Sequence, residues 1–412
     1  MIYSKQLFWA LNLLIILLPT YLIRFSLGFL KTNFFEVFFF FILIWWVFET
    51  IFKKSLLKFN CFLTKNLLFS GGLILLLIGV SLSTIFSLNP LVSLGILKSW
   101  FFVPVIFFLI ISNVKNKKSL VFFLRSLSFS GIIVSIISFF YLVLGRLTYD
   151  NRLSAFFENP NQLAMYLVPA WLVSLFFFCF SKKRIEKRLW LSFLSLISIP
   201  LFFSYSYGAW FGVLFGSSIC LILIKTKFLK LKKIKFFWFL TTLVLLIIVF
   251  SSAKFQGLLL DQRSSFHSRL IIWRSALYII KDHWLVGIGP GSFQQAYLEY
   301  QEYFPPYLEW AVPQPHNLFL AFWLQAGLLG FMGFISILVW FFKKTIICFK
   351  NNQKIAILLL AIMSYFLIHG MIDTTYWRND LSVVFWLIIG LMSIISHQDC
   401  LQRKENLLGQ KR

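Results

Sequence analysis

Charge is scarce in this chain. Asp, Glu, Lys and Arg make up only 13% of the 412 residues, against roughly 25% in an average soluble domain. Acid is scarcest, with 14 Asp and Glu facing 39 Lys and Arg. Cysteine is limited to Cys61, Cys179, Cys220, Cys348 and Cys400, with no pair spacing. These shortages exclude a soluble globular enzyme, a secreted disulfide scaffold and a disordered regulator, and no disulfide or metal site is expected. Internal repeats and low-complexity linkers are also missing. What fills the chain is apolar: 59% of residues, Phe alone at 53 positions. They gather in runs close to the roughly 20 residues that cross a bilayer.

The runs predict an all-α polytopic membrane protein of about twelve spans, near 7–23, 34–52, 67–86, 91–112, 119–144, 161–180, 189–203, 207–224, 236–253, 316–342, 354–372 and 380–396. The net charge of +25 does not point to nucleic acid, because the basic residues sit in short clusters between apolar runs. With Lys5 inside, alternate segments collect Lys53–Lys65, Lys115–Lys118, Lys182–Arg188, Lys225–Lys235, Lys343–Lys354 and the tail from Arg403 to Arg412. Together with Lys5, those clusters hold 27 of the 39 basic residues. That is the positive-inside pattern, with both termini cytoplasmic and the first span an uncleaved anchor. Asp150, Glu158, Asp261, Asp282, Glu299, Glu302, Glu309, Asp373 and Asp380 fall on the opposite side. The expected layout is a nine-helix membrane region (1–253), a long extracytoplasmic loop (254–315), a three-helix membrane region (316–396) and a basic tail (397–412).

The long loop is the one extended polar interruption, and outer loops are where chemistry is expected. Leu270, Trp273, Leu277, Ile280 and Trp284 recur at helical spacing, with Ser268 as an N-cap. Such a helix either lies in the headgroup layer or packs on the bundle rim. Gly287-Ile288-Gly289-Pro290-Gly291 then ends it, as a plain turn or as a turn offering N–H groups to phosphate. Pro313-Gln314-Pro315 leads extended chain to His316-Asn317 at the mouth of the next span. Lys98 lies about 10 Å into a span entered from outside, counting 1.5 Å per residue, where a charge is either functional or snorkelling.

From His316-Asn317, nine residues lead to Gly327 and two more to Gly330. This H-N-x9-G-x-x-G pattern resembles the signature of the O-antigen ligase and polysaccharide polymerase superfamily. Arg269-Leu270-Ile271-Ile272-Trp273, the glycine turn 287–291, Asn159-Pro160-Asn161 and His369-Gly370-Met371-Ile372-Asp373 resemble further elements of it. In Ser206-Tyr207-Gly208, Tyr207 stands where such ligases usually carry an Arg thought to contact the lipid pyrophosphate. Arg152, Lys98 or Arg24 are the cations that could replace it.

The resemblance implies glycosyl transfer at the outer face of the inner membrane, from a glycan on a polyprenyl pyrophosphate to an acceptor hydroxyl on lipid or glycan. It implies no metal and no cofactor. A departing pyrophosphate needs cations, and the guanidinium fork suits phosphate oxygens. Arg269 is the first choice, with Arg274 and Arg263 behind it. The acceptor hydroxyl needs a base, and His316 is the expected catalytic residue. Asn317, Arg152, Lys98 and Asp373 complete the expected substrate-binding set, Asp373 either orienting a His, binding sugar or simply ending a helix. The alternatives are a polymerase of the same superfamily, or a transporter or flippase of lipid-linked glycan. The latter would be expected to show paired repeats and broken mid-membrane helices.

Overall fold

The computed structural model describes residues 4–28, 30–52, 66–114, 117–223, 265–305, 309, 312–351 and 353–409. The expected span 236–253, Arg263 and the basic clusters Lys53–Lys65 and Lys225–Lys235 lie outside these residues. Each other expected span is helical over most of its described length, with 7–23 α-helical only to Ile16 and continued by a 3-10 turn at Leu18–Leu22. In chain order the helices are α1 (Lys5–Ile16), α2 (Phe34–Phe52), α3 (Leu67–Ile85), α4 (Pro90–Ser112), α5 (Lys117–Val143), α6 (Pro160–Phe180), α7 (Arg184–Phe203), α8 (Tyr207–Leu223), α9 (Ser265–Asp282), α10 (Phe293–Tyr300), α11 (Leu318–Lys350), α12 (Lys354–Gly370) and α13 (Asn379–Gly409). Seven of them are long and apolar enough to cross a membrane. Helix is what a lipid-embedded backbone requires, since no water is there to satisfy its N–H and C=O groups. The fold is therefore an all-α polytopic membrane bundle.

Three features were not expected from sequence. A two-stranded hairpin, β1 (Arg24–Leu27) with β2 (Leu30–Asn33), joins α1 to α2. The Asn33 side chain then caps α2 by accepting from the Glu36 N–H at 2.9 Å. Helix α4 carries a π-helical stretch at Leu97–Phe102. Helix α13 continues through the expected basic tail to Gly409, because no Gly or Pro interrupts 397–408.

Helix α9 starts at Ser265, so Ser268 is an interior, buried residue rather than the cap. Its packed face is Ile272, Ala276, Ile279 and Ile280, which meet Leu324 of α11 and Phe293 and Tyr297 of α10. The helix packs on the rim, while Leu277 and Trp284 of the expected apolar stripe face outward. Steps of three and four fit two adjacent stripes here, and periodicity alone does not choose between them.

Glycine sets how the elements approach. Gly72 and Gly79 of α3 face Gly330 and Gly333 of α11 with backbone against backbone, the small-residue crossing used where helices meet in lipid. Gly327 breaks α11 with φ +66°. Into that break fits the glycine turn 287–291: the Ile288 N–H donates to Leu324 O at 2.7 Å and the Leu328 N–H to Leu285 O at 3.0 Å. Ser93 and Ser292 fasten the turn on its other side, through Pro290 O (2.6 Å) and Ser87 Oγ (2.8 Å). The turn is thus a packed structural joint.

Segments 144–159, 204–206, 312–317 and 371–378 meet at one end of the bundle. The Leu153 N–H donates to Phe203 O at 2.9 Å, and Arg378 Nη2 to Gln162 O at 3.1 Å. These are the segments that the charge pattern assigns to the outer side.

Candidate active site

At that end the turn before α11 places His316 in a left-handed conformation, φ +46°. A non-glycine residue there is strained, and such strain concentrates at functional sites. The next residue holds the turn in place. Asn317 Oδ1 caps α11 by accepting from the Phe319 and Leu320 N–H groups at 3.0 and 3.1 Å. Its Nδ2 donates to Met371 O at 3.0 Å, tying the turn to the 371–378 loop.

That loop delivers Asp373. Its Oδ1 lies 3.3 Å from His316 Nδ1 and accepts the Thr374 N–H at 2.8 Å. The Asp373 side chain is 6% exposed, that of His316 26%. Burial pushes the Asp373 carboxyl up. The hydrogen bond and charge of His316, aided by His369 and Arg269, outweigh burial and hold it well below the usual carboxylate range. Asp373 is therefore a charged acceptor aimed at one imidazole nitrogen. That fixes the tautomer with Nδ1–H toward the carboxylate and leaves Nε2 as the basic nitrogen.

The Arg-x-x-x-Trp element of α9 clasps both halves of this pair. One helical turn apart, Arg269 Nε donates to Ile372 O at 2.9 Å and Trp273 Nε1 to His316 O at 3.2 Å. Arg269 thereby stands beside Asp373.

A second guanidinium comes from the 144–159 loop. Arg152 Nε donates to Ser204 O at 2.8 Å and its Nη2 to Asn161 Oδ1 at 2.7 Å, with Asp150 at 3.7 Å. Burial, reinforced by the Arg269 charge, lowers the Arg152 pKa from its ordinary value, while Asp150 and Tyr207 oppose the shift. So Arg152, Arg269 and Tyr207 share one electrostatic neighbourhood. Arg152 carries positive charge to the region where Tyr207 replaces the expected Arg.

The other expected cations lie elsewhere. Lys98 pairs at 2.7 Å with the buried Glu36 and also donates to Lys31 O at 3.3 Å. It pins the β1–β2 hairpin to α4. Arg274 is exposed on the outer face of α9. Arg24 lies 3.9 Å from Glu158, both well exposed. His369 is buried and its Nδ1 meets the Tyr365 hydroxyl at 2.9 Å, while its ring packs against Gly208.

Asn161 is the residue whose role sequence reasoning missed. Asn159 caps α6 by accepting from the Gln162 N–H at 2.9 Å, and Pro160 occupies the first helical position. Asn161 is then free of capping duty. Its Nδ2 donates to Asp373 Oδ2 at 3.1 Å while its Oδ1 accepts from Arg152. The Asn-Pro-Asn segment carried that signal, since the first Asn and the Pro are helix starters and the second Asn is not needed as one.

A family comparison bears on this end of the bundle. Residues 191–335 match the family model for O-antigen ligase. The match agrees with the resemblance read from the motifs. It spans Tyr207, Arg269, His316 and Asn317, and leaves Arg152, Asn161 and Asp373 outside. A comparison with curated proteins gave no match. The seven apolar helices describe a multi-pass membrane protein, and over residues 191–335 it is similar to the O-antigen ligase family.

Proposed function

We propose that this protein transfers a glycan from a polyprenyl-pyrophosphate donor to an acceptor hydroxyl at the outer face of the inner membrane. The observation that carries the reading is the His316–Asp373 pair (3.3 Å) sharing one polar cluster with Arg152 and Arg269. His316 Nε2 removes the proton from the acceptor hydroxyl as its oxygen bonds to the anomeric carbon. The bond from that carbon to pyrophosphate oxygen breaks, and the leaving group departs with its electron pair as an anion. Arg152 and Arg269 are the cations assigned to neutralise it. The proton ends on His316, and the Asp373 carboxylate stabilises the resulting imidazolium.

Reconstitution in lipid vesicles with a lipid-linked glycan and candidate acceptors tests this. Wild type is expected to release polyprenyl pyrophosphate and extend the acceptor. His316→Ala is expected to lose about 10²–10⁴-fold in kcat, the usual worth of a general base. Transfer at wild-type rate by His316→Ala would refute the assignment. Product length decides between single transfer and polymerisation.

A further inference from the structure

We propose that Asn161 is a positioning residue of this site, its one carboxamide tying the Arg152 guanidinium to the carboxylate that orients His316. The inference rests on the reading above and extends it to a residue outside the matched segment. Three facts carry it. The amide oxygen accepts from Arg152 Nη2 at 2.7 Å. The amide nitrogen donates to Asp373 Oδ2 at 3.1 Å. The helix end that Asn161 occupies is capped by Asn159, so helix initiation does not explain it.

Only a group that accepts on one side and donates on the other fits between a guanidinium and a carboxylate. An amide does this without adding charge, so no second carboxylate joins Asp150, already 3.7 Å from Arg152. A carboxylate at position 161 would neutralise Arg152 and repel Asp373. An alkyl group would leave both charges without their link. The bridge gives the two halves of the site a common register: Arg152 on the donor side, and Asp373 with His316 on the acceptor side. Asp373 itself is held from three directions, by Asn161 on Oδ2 and by His316 and Thr374 on Oδ1. Removing Asn161 frees one carboxylate oxygen and lets the pair with His316 rotate.

An exchange of partners tests the bridge. Asn161→Asp alone places two carboxylates in contact, and Asp373→Asn alone removes the charge beside His316. Combining the two substitutions restores a complementary order. The carboxylate then at position 161 accepts from Arg152 and from the amide then at position 373, whose oxygen still accepts from His316 and Thr374. The double variant is expected to exceed the product of the single effects on kcat by about tenfold, a coupling of ordinary size for contacting groups. Thermal midpoints in detergent should show the same sign of coupling. A double variant at or below the product of the singles, in rate and in thermal midpoint, overturns the proposal. Asn161→Ala adds no charge and supplies a second measurement: kcat falls while the acceptor KM holds, and an unchanged kcat counts against the role. If wild type transfers no glycan, the proposed function fails, and the thermal cycle alone then decides whether the bridge exists.

Discussion

At the scale of single residues, the site depends on how Asp373 is held. Its carboxyl lies well below the ordinary carboxylate value, about 3.9, because the His316 hydrogen bond and charge outweigh its burial. The depressed value fixes the sign of the pH dependence. The stability this group contributes is complete above the unfolded-state value and is lost only as pH falls through the lower folded value. Through neutral and mildly acidic pH Asp373 therefore stays charged, so an acid limb seen there in the kcat profile does not come from its carboxyl. Asp373→Asn is expected to reduce kcat strongly while an acid limb remains in the kcat profile. Disappearance of that limb in the variant would assign it to Asp373. Arg269→Lys makes a second case. The guanidinium uses Nε on Ile372 O and belongs to a planar fork shaped for phosphate oxygens, and an ammonium cannot serve both in one plane. The variant is expected to raise the donor KM about tenfold or more, read from initial rates at varied lipid-linked glycan.

At the scale of elements, the glycines of the His-Asn motif have two separate jobs. Gly327 admits the glycine turn into a broken α11, with φ +66° and the Leu285 and Val286 carbonyls where a Cβ would stand. Gly330 lies against Gly79 of α3. Gly327→Ala is expected to cost about 1–3 kcal/mol from backbone strain alone, with more from the collision, and to lower the thermal midpoint in detergent. Because the same break anchors the turn behind α9, it should also loosen Arg269 and Trp273 and cut activity in whatever protein folds. An Ala variant with wild-type midpoint would show that the break is dispensable. The existence of these helices was legible from apolar run length, and span 34–52 agrees with α2 residue for residue. The packed face of α9 was legible only in part: Trp273 and Ile280 of the expected stripe pack inward, while Leu277 and Trp284 face outward. The site was legible as residue types, a His and two Arg near polar turns. Its wiring was not, because Asp373 follows Asn161 by 212 residues and the contacts run through backbone carbonyls and one amide.

At the scale of the whole molecule, charge pattern and packing meet at one question, which side of the membrane holds the site. Lys and Arg outnumber acid nearly threefold, 39 to 14, and the described clusters Lys182–Arg188 and Lys343–Lys354 sit where α6 meets α7 and α11 meets α12, at the far ends of α6 and α11 from Asn161 and His316. Reversing the chain would send those clusters across the membrane, against the bias that sets orientation during insertion. The segments around the site carry both signs, and their charges are engaged locally: Asp373 with His316, Asp150 with Arg152, Glu158 near Arg24. Such locally compensated segments exert less pull on orientation than the nearly pure basic clusters. Reporter fusions after residues 183 and 352 are accordingly expected to read as cytoplasmic, and one after residue 295 as extracytoplasmic. In the proposed reaction, a donor glycan already carried to the far leaflet would then meet Arg152 and Arg269 without recrossing the bilayer. A cytoplasmic reading at residue 295 would put the site on the opposite face, and the donor would have to be used before it is flipped.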